Sequence, residues 1–220
     1  MKELDRIEIT AIVYNNRQAD QLIELLRTYP VAFNLEKVIN PFKTDAEMIA
    51  NLYKSGGVHE DHTHHKIYND AIKSTQDYAI CYVQSKGVIQ YLKNSISELK
   101  KYYHWRNYLN WGNLENWKKC TEALEHYDVA GVDFHTEPVP HFRGTMFWTK
   151  SSHVRTLPDP KTDDWWTDLK ERSNDQWIKS CAPRFKAEMW ISNKSGVKVF
   201  NFHTPEENPA VVPYIRSATV

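Results

Sequence analysis

Tyr78-Ala-Ile-Cys-Tyr-Val83 is a run of six residues with no charged side chain, set between Asp77 and the polar segment Gln84-Ser85-Lys86-Gly87. A run this short and this apolar reads as a strand buried on both faces, in the middle of a sheet covered by helices. Outward on the N-terminal side, His59 to His65 reads as a polar loop that leads into a helix ending near Thr75. Asp45 to Lys54 suits a helix closed by Ser55-Gly56-Gly57, and Val31 to Ile39 suits a strand before the turn at Pro41. Ile7 to Tyr14 is a β-rich first strand. Gln18 to Tyr29 is a helix, with Ala19, Leu22, Ile23, Leu25 and Leu26 at helical spacing and Pro30 closing it.

On the C-terminal side, Val88 to His126 is helical with a break near Trp111-Gly112. Val129 to Phe134, Gly144 to Lys150 and Val197 to Phe202 read as short strands, and Asp175 to Ile191 as helix interrupted at Pro183. Strands alternating with helices imply a layered α/β architecture. No repeat, low-complexity tract or linker divides residues 1–220, so one domain is expected.

Composition narrows the function. At 41% hydrophobic and 25% charged residues the chain has the balance of a folded globular protein. Its 28 Lys and Arg match 28 Asp and Glu, which excludes the basic excess of a nucleic-acid or anionic-membrane binder and still allows a phosphate-bearing small molecule. Met1 to Arg6 is charged where a signal peptide is apolar, and no stretch approaches the ~20 apolar residues of a membrane span. Cys81, Cys120 and Cys181 have no paired spacing and fit a reducing compartment. The expectation is a cytoplasmic protein.

In open α/β sheets, ligands collect beyond the carboxyl ends of the strands. Asn15 to Arg17, Gln84 to Gly87, Asp133 to His135, and His203 occupy such ends. Lys86 can face phosphate oxygens and Gly87 permits close backbone approach, although the segment also suits a plain turn. Asp133 and His135, two apart on an extended strand, project to one face; both bind divalent cations such as Mn2+, and His203 can add a third ligand. The competing reading is that they satisfy backbone groups at a strand end. His59, His62, His64 and His65 lack the ligand spacing of a structural zinc site and read as a solvated loop. Cys81 reads as packing. Most aromatics read as core, with Trp148, Trp165 and Trp166 the alternative platforms for a sugar ring or base. The hydrolase elbow, the P-loop, the His-Glu-x-x-His motif and the dinucleotide glycine fingerprint are all absent.

Two stretches carry a resemblance. Asp77-Tyr-Ala-Ile-Cys-Tyr-Val-Gln-Ser-Lys-Gly-Val88 resembles the "tyrosine, hydrophobic, His, Ser/Thr, Lys, Gly" strand element of a group of small sugar transferases. Asp128-Val-Ala-Gly-Val-Asp133, Pro140-His-Phe-Arg-Gly-Thr-Met-Phe-Trp148 and Leu157-Pro158 resemble that group's valine-glycine, Pro-x-His-Phe-x-Gly-x-x-Trp-Trp and leucine-proline stretch. Arg184-Phe-Lys-Ala-Glu188-Met-Trp190 is similar to its closing Arg-x-x-x-Glu-x-Trp pattern. The set resembles the small GT-A glycosyltransferases that chlorella viruses encode for capsid glycans, which would work in the host cytoplasm; a bacterial polysaccharide enzyme of the same group is the other option.

The resemblance implies an α/β GT-A (nucleotide-diphospho-sugar transferase) fold, a mixed central β-sheet flanked by helices. It implies a UDP-sugar donor, a glycan acceptor and a divalent cation, usually Mn2+. It places the nucleotide on Ala11, Val13, Tyr14, Asn15 and Arg17, and the rest of the donor on Gln84, Ser85, Lys86 and Gly87. The group's metal-holding Asp-x-Asp is replaced by Gln84-Ser85-Lys86. Either Asp133, His135 and His203 hold the metal instead, the last matching a late histidine of such enzymes, or Lys86 itself neutralises the diphosphate.

Departure of UDP builds negative charge on the diphosphate, which a nearby cation stabilises. An inverting reaction needs a carboxylate to take the acceptor proton, with Glu188 and Asp175 as candidates; a retaining one needs none, and both outcomes are open. Two other readings compete. A nucleotidyltransferase would want a Gly-rich basic loop where Asn15-Asn16-Arg17 stands. A carbohydrate-binding module without turnover is commonly a β-sandwich, against the helix content here.

Overall fold

A computed structural model describes residues 7–12, 38–39, 60–84, 104–181 and 183–205. Among them lie eight strands: β1 (Ile7–Ile12), β2 (Val38–Ile39), β3 (Ala79–Gln84), β4 (Val129–Gly131), β5 (Phe134–His135), β6 (His141–Phe142), β7 (Phe147–Lys150) and β8 (Val199–Asn201). Six form one sheet in the order β2-β1-β3-β7-β4-β8, while β5 and β6 form a two-stranded ribbon. β1 is parallel to β2 and β3, β4 is parallel to β8, and β7 is antiparallel to both β3 and β4. The sheet is therefore mixed, with one reversed strand among five that share a direction.

The described helices are α1 (Glu60–Lys73), α2 (Trp117–Ala123), α3 (Ser151–Val154), α4 (Asp164–Arg172), α5 (Gln176–Ser180) and α6 (Lys186–Trp190). Residues 104–110 are also helical and run into a π-helical turn, Trp111–Glu115. That turn is the break expected near Trp111-Gly112.

Side chains alternate across a strand, and β3 shows the consequence. Ile80 and Tyr82 join Val129 and Phe147 in one core, closed by Ile67 of α1, Trp166 of α4, Ile178 of α5 and Trp190 of α6. Ala79, Cys81 and Val83 join Ala130 and Trp148 in a second core, with Tyr108, Leu109, Leu114 and Cys120. Helices flank the sheet on both faces, so residues 79–83 of β3 are buried on either side.

Several expectations change. Of the polar loop expected over His59 to His65, residues 60–65 are the opening of α1, His59 lies outside the described residues, and His64 is fully buried. His64, Ile67 and Ala71 form one helical stripe at i, i+3 and i+7, with histidine standing where an aliphatic residue is usual. Trp148, Trp165 and Trp166 are core residues, so they are not ligand platforms. Trp148 tolerates complete burial because its indole N–H donates to the Asn113 carbonyl at 2.7 Å. β7 starts at Phe147 rather than Gly144, because Gly144 and Thr145 have φ of 95° and 54°. The expected helices over 18–29 and 45–54, and the expected helix between 88 and 103, lie outside the described residues.

His64 stacks on Trp190 with ring centroids 5.0 Å apart and meets Tyr82 edge-on at 4.7 Å. Neither ring nitrogen has a hydrogen-bond partner among the described residues, and burial lowers its pKa to about 3. The unfolded chain therefore binds the proton more tightly. This stability is fully present above the ordinary value of 6.5 and drains away as pH falls toward about 3. Between pH 7 and pH 5 this one group removes about 2 kcal/mol. Urea unfolding at both pH values should show His64→Phe losing about 2 kcal/mol less than the wild type across that interval.

Candidate functional site

The register aligns Ile12 with Gln84 and Gly131 with Asn201, and β7 ties the two halves together, so β1, β3, β4 and β8 end along one edge. From β1 the sheet grows to β2 on one side and β3 on the other. The β1/β3 crevice is thus a topological switch point, where ligands bind in open α/β sheets. Ala11 pairs with Val83 inside β1 and Gln84 ends β3. Val13, Tyr14, Asn15, Arg17, Ser85, Lys86 and Gly87 lie outside the described residues, as does the side chain of Gln84. Asp133 and His135 follow β4, and His203 follows β8.

Asp133 ends the strand run early. Its φ is 64°, a left-handed conformation that Asp tolerates better than most residues. It was expected on an extended strand; instead the chain turns there, and β5 begins one residue later. The Asp133 N–H donates to the His203 carbonyl at 2.8 Å, and its carbonyl accepts from the Arg143 N–H at 3.0 Å. The Asp133 side chain has no exposure to solvent. Its Oδ1 accepts from His135 Nε2 at 2.9 Å and from Arg143 Nη2 at 2.8 Å, and its Oδ2 accepts from Arg143 Nε at 2.9 Å. A buried carboxylate needs this much compensation, and the guanidinium fork supplies charge and geometry together.

An aromatic wall stands beside this knot. The Tyr108 hydroxyl lies 3.0 Å from His203 Nδ1, and the Trp111 ring meets the His203 ring edge-on at 5.5 Å. Trp111 opens the π-helical turn, a feature often found at functional sites. A Cβ on Gly112 would fall 2.3 Å from Val132 Cγ2, so glycine lets the turn press against the segment leading to Asp133. On the other flank, Thr145 is buried at φ 54° with no hydrogen bond to its hydroxyl among the described residues. A β-branched residue held in that region stores on the order of 1–3 kcal/mol of strain. The Gly144-Thr145 turn that carries this strain follows Arg143, which the β5–β6 ribbon sets opposite Asp133.

The β5–β6 ribbon projects past this edge. Beside it an open groove of about 610 Å3 lies between Glu137, Pro138, Val139 and Pro140 on one side and Leu169, Arg172, Ser173, Asn174 and Asp175 on the other. Asp175 caps α5, its Oδ1 accepting from the Ile178 N–H at 3.0 Å. Glu188 lies partly exposed in the first turn of α6, a helix packed against β6. The three cysteines are buried, and burial pushes the Cys120 thiol up to about 12, as inert packing requires.

The structure brings Asp133 and His135 into contact and joins His203 to Asp133 through the backbone. It does not present them as a Mn2+ site. Both Asp133 oxygens are spent on Arg143 and His135, and His203 turns Nδ1 toward Tyr108. Among the described residues no three His, Cys, Asp or Glu side chains gather as ligands. Arg143 and Trp111 belong to the cluster and are not among the site residues expected from the sequence. Arg143 lies within the Pro-x-His-Phe-x-Gly stretch, and Trp111 lies at the helix break; each carried a signal.

If the Gly112 contact holds the turn against Val132, Gly112→Ala should cost about 1–3 kcal/mol in urea unfolding, as overpacked sites do. A loss below about 0.5 kcal/mol, ordinary for a surface change, would contradict this packing.

Among known proteins, no curated protein and no solved structure matches the chain. The family described as a domain of unknown function (DUF8361) matches residues 31–210, a span that includes the whole cluster from Tyr108 to His203. The chain belongs to this family.

Proposed function

We propose that the chain is a glycosyltransferase of the GT-A type, moving a sugar from a UDP-sugar donor to a hydroxyl of a glycan acceptor. The observation that carries this reading is the shared strand edge. The switch point between β1 and β3 shares its sheet edge with a polar cluster of Asp133, His135, Arg143 and His203, which lies past β7. The mixed sheet with helices on both faces is the architecture that the resemblance implies.

In this reading the nucleotide takes the β1 end and the diphosphate takes the β3 end, where Lys86 offers a cation to the charge that grows as UDP leaves. The groove beside the β5–β6 ribbon takes the acceptor, and Asp175 on its rim is the nearest carboxylate of the two candidate bases. Assistance by Mn2+ belongs to this reading. No described helix is long and apolar enough to cross a membrane.

Thermal unfolding with UDP, CMP and GDP, each with and without Mn2+, tests this reading. UDP at ten times its Kd adds about 1.4 kcal/mol and raises Tm by about 3–5 °C, with smaller shifts for the other nucleotides. No shift with any nucleotide would overturn it.

A further inference from the structure

We propose that His135 and His141 form a two-histidine site for a borderline divalent transition-metal ion of the Zn2+, Ni2+ or Cu2+ kind. The pair faces itself across the β5–β6 ribbon, where His135 and His141 are direct partners in the antiparallel register. Direct partners project to one face of a ribbon. Their rings are nearly parallel, at 25°, with centroids 5.6 Å apart.

Each ring has one nitrogen committed and one open. His135 Nε2 lies 2.9 Å from Asp133 Oδ1, and a carboxylate only accepts, so the proton sits on Nε2 and the lone pair on Nδ1. His141 Nδ1 lies 2.8 Å from the Val139 carbonyl, which also only accepts, so its lone pair sits on Nε2. Neither lone pair has a protein partner among the described residues. A metal-binding histidine almost always donates its other N–H to a carboxylate or a backbone carbonyl, which fixes the tautomer and raises ligand basicity. Here one ring has each kind of partner.

The spacing also suits a shared ion. With a Zn–N bond of about 2.0–2.1 Å, each ring centre lies roughly 3.2 Å from the metal, so two rings sharing one ion have centroids about 4.5–5.5 Å apart. The observed 5.6 Å is close to this span, and the nearly parallel rings must turn about their side-chain bonds to aim both lone pairs at one ion. Two imidazoles, with no further carboxylate gathered at them among the described residues, favour the borderline ions over Mn2+ or Mg2+. Arg143 does not oppose the ion with a bare charge, because its guanidinium is neutralised by Asp133. Two protein ligands leave open positions for water or an anionic ligand. The site stands whether or not the chain transfers sugar.

The test uses the full chain without an affinity tag. Zn2+ titration by calorimetry should show an ion whose binding weakens at least tenfold in His135→Gln and in His141→Gln, and stays unchanged in His126→Gln, an exposed position elsewhere. With Cu2+, electron paramagnetic resonance should resolve coupling to two imidazole nitrogens in the wild type and to one in His141→Gln. Should His135→Gln fail to fold, His141→Gln carries the test alone, since His141 does not touch Asp133. Wild-type affinity in His141→Gln, or the same number of coupled nitrogens in both proteins, would overturn the proposal.

Discussion

A carboxylate without any exposure to water sits where β4 gives way to the loops, and the arrangement of the edge follows from keeping it charged. Asp133 needs donors on every side. Arg143 supplies a fork, His135 supplies one N–H, and the backbone pairing with His203 fixes the position of the residue. The antiparallel β5–β6 ribbon brings Arg143 back opposite Asp133, and the strained Gly144-Thr145 turn follows directly after it. That turn sends the chain into β7, and β7 is the strand that runs against its neighbours and joins the β1–β3 half of the sheet to the β4–β8 half. The ribbon meets the electrostatic demand of Asp133, and the turn that follows it starts the reversed strand.

The same knot connects scaffold to site. Its far side contacts the sheet through β4 and β8; its near side, through His135 and Arg143, is about one quarter to one third exposed at 32% and 26%. Exposed charge on a rigid buried anchor is what a binding site needs, because the side chains are already oriented before a ligand arrives. The π-helical turn contributes the neighbouring wall, and its position depends on glycine at 112. Catalysis or binding at this edge would draw on the packing of the second core, through Leu109, Leu114 and Trp148.

Much of this was legible in the sequence, for physical reasons. YAICYV betrays a strand covered on both faces because no polar residue can stand on either side of it. The strand ends pointed to Gln84, Asp133 and His203 because parallel strands deliver their carboxyl ends to one edge. Other features were hidden. His64 is a histidine on a core-facing helical stripe, and four histidines within seven residues give the segment a polarity that masks its i, i+3, i+7 spacing. The turn at Asp133 was hidden because a left-handed Asp leaves no mark in a hydrophobic pattern. The ribbon and α4 fall where apolar periodicity is weak, and Trp165 and Trp166 show their role only when the core they fill is seen.

The account rests on Asp133 and Arg143 being a buried, mutually dependent pair rather than two surface charges. A double-mutant cycle measures that dependence directly, using Asp133→Asn, Arg143→Met and the double variant in urea unfolding at pH 7. The account predicts a coupling of about 2–3 kcal/mol, the size seen for contacting groups in one buried network. A coupling below about 0.5 kcal/mol, the value of an exposed ion pair, would contradict it.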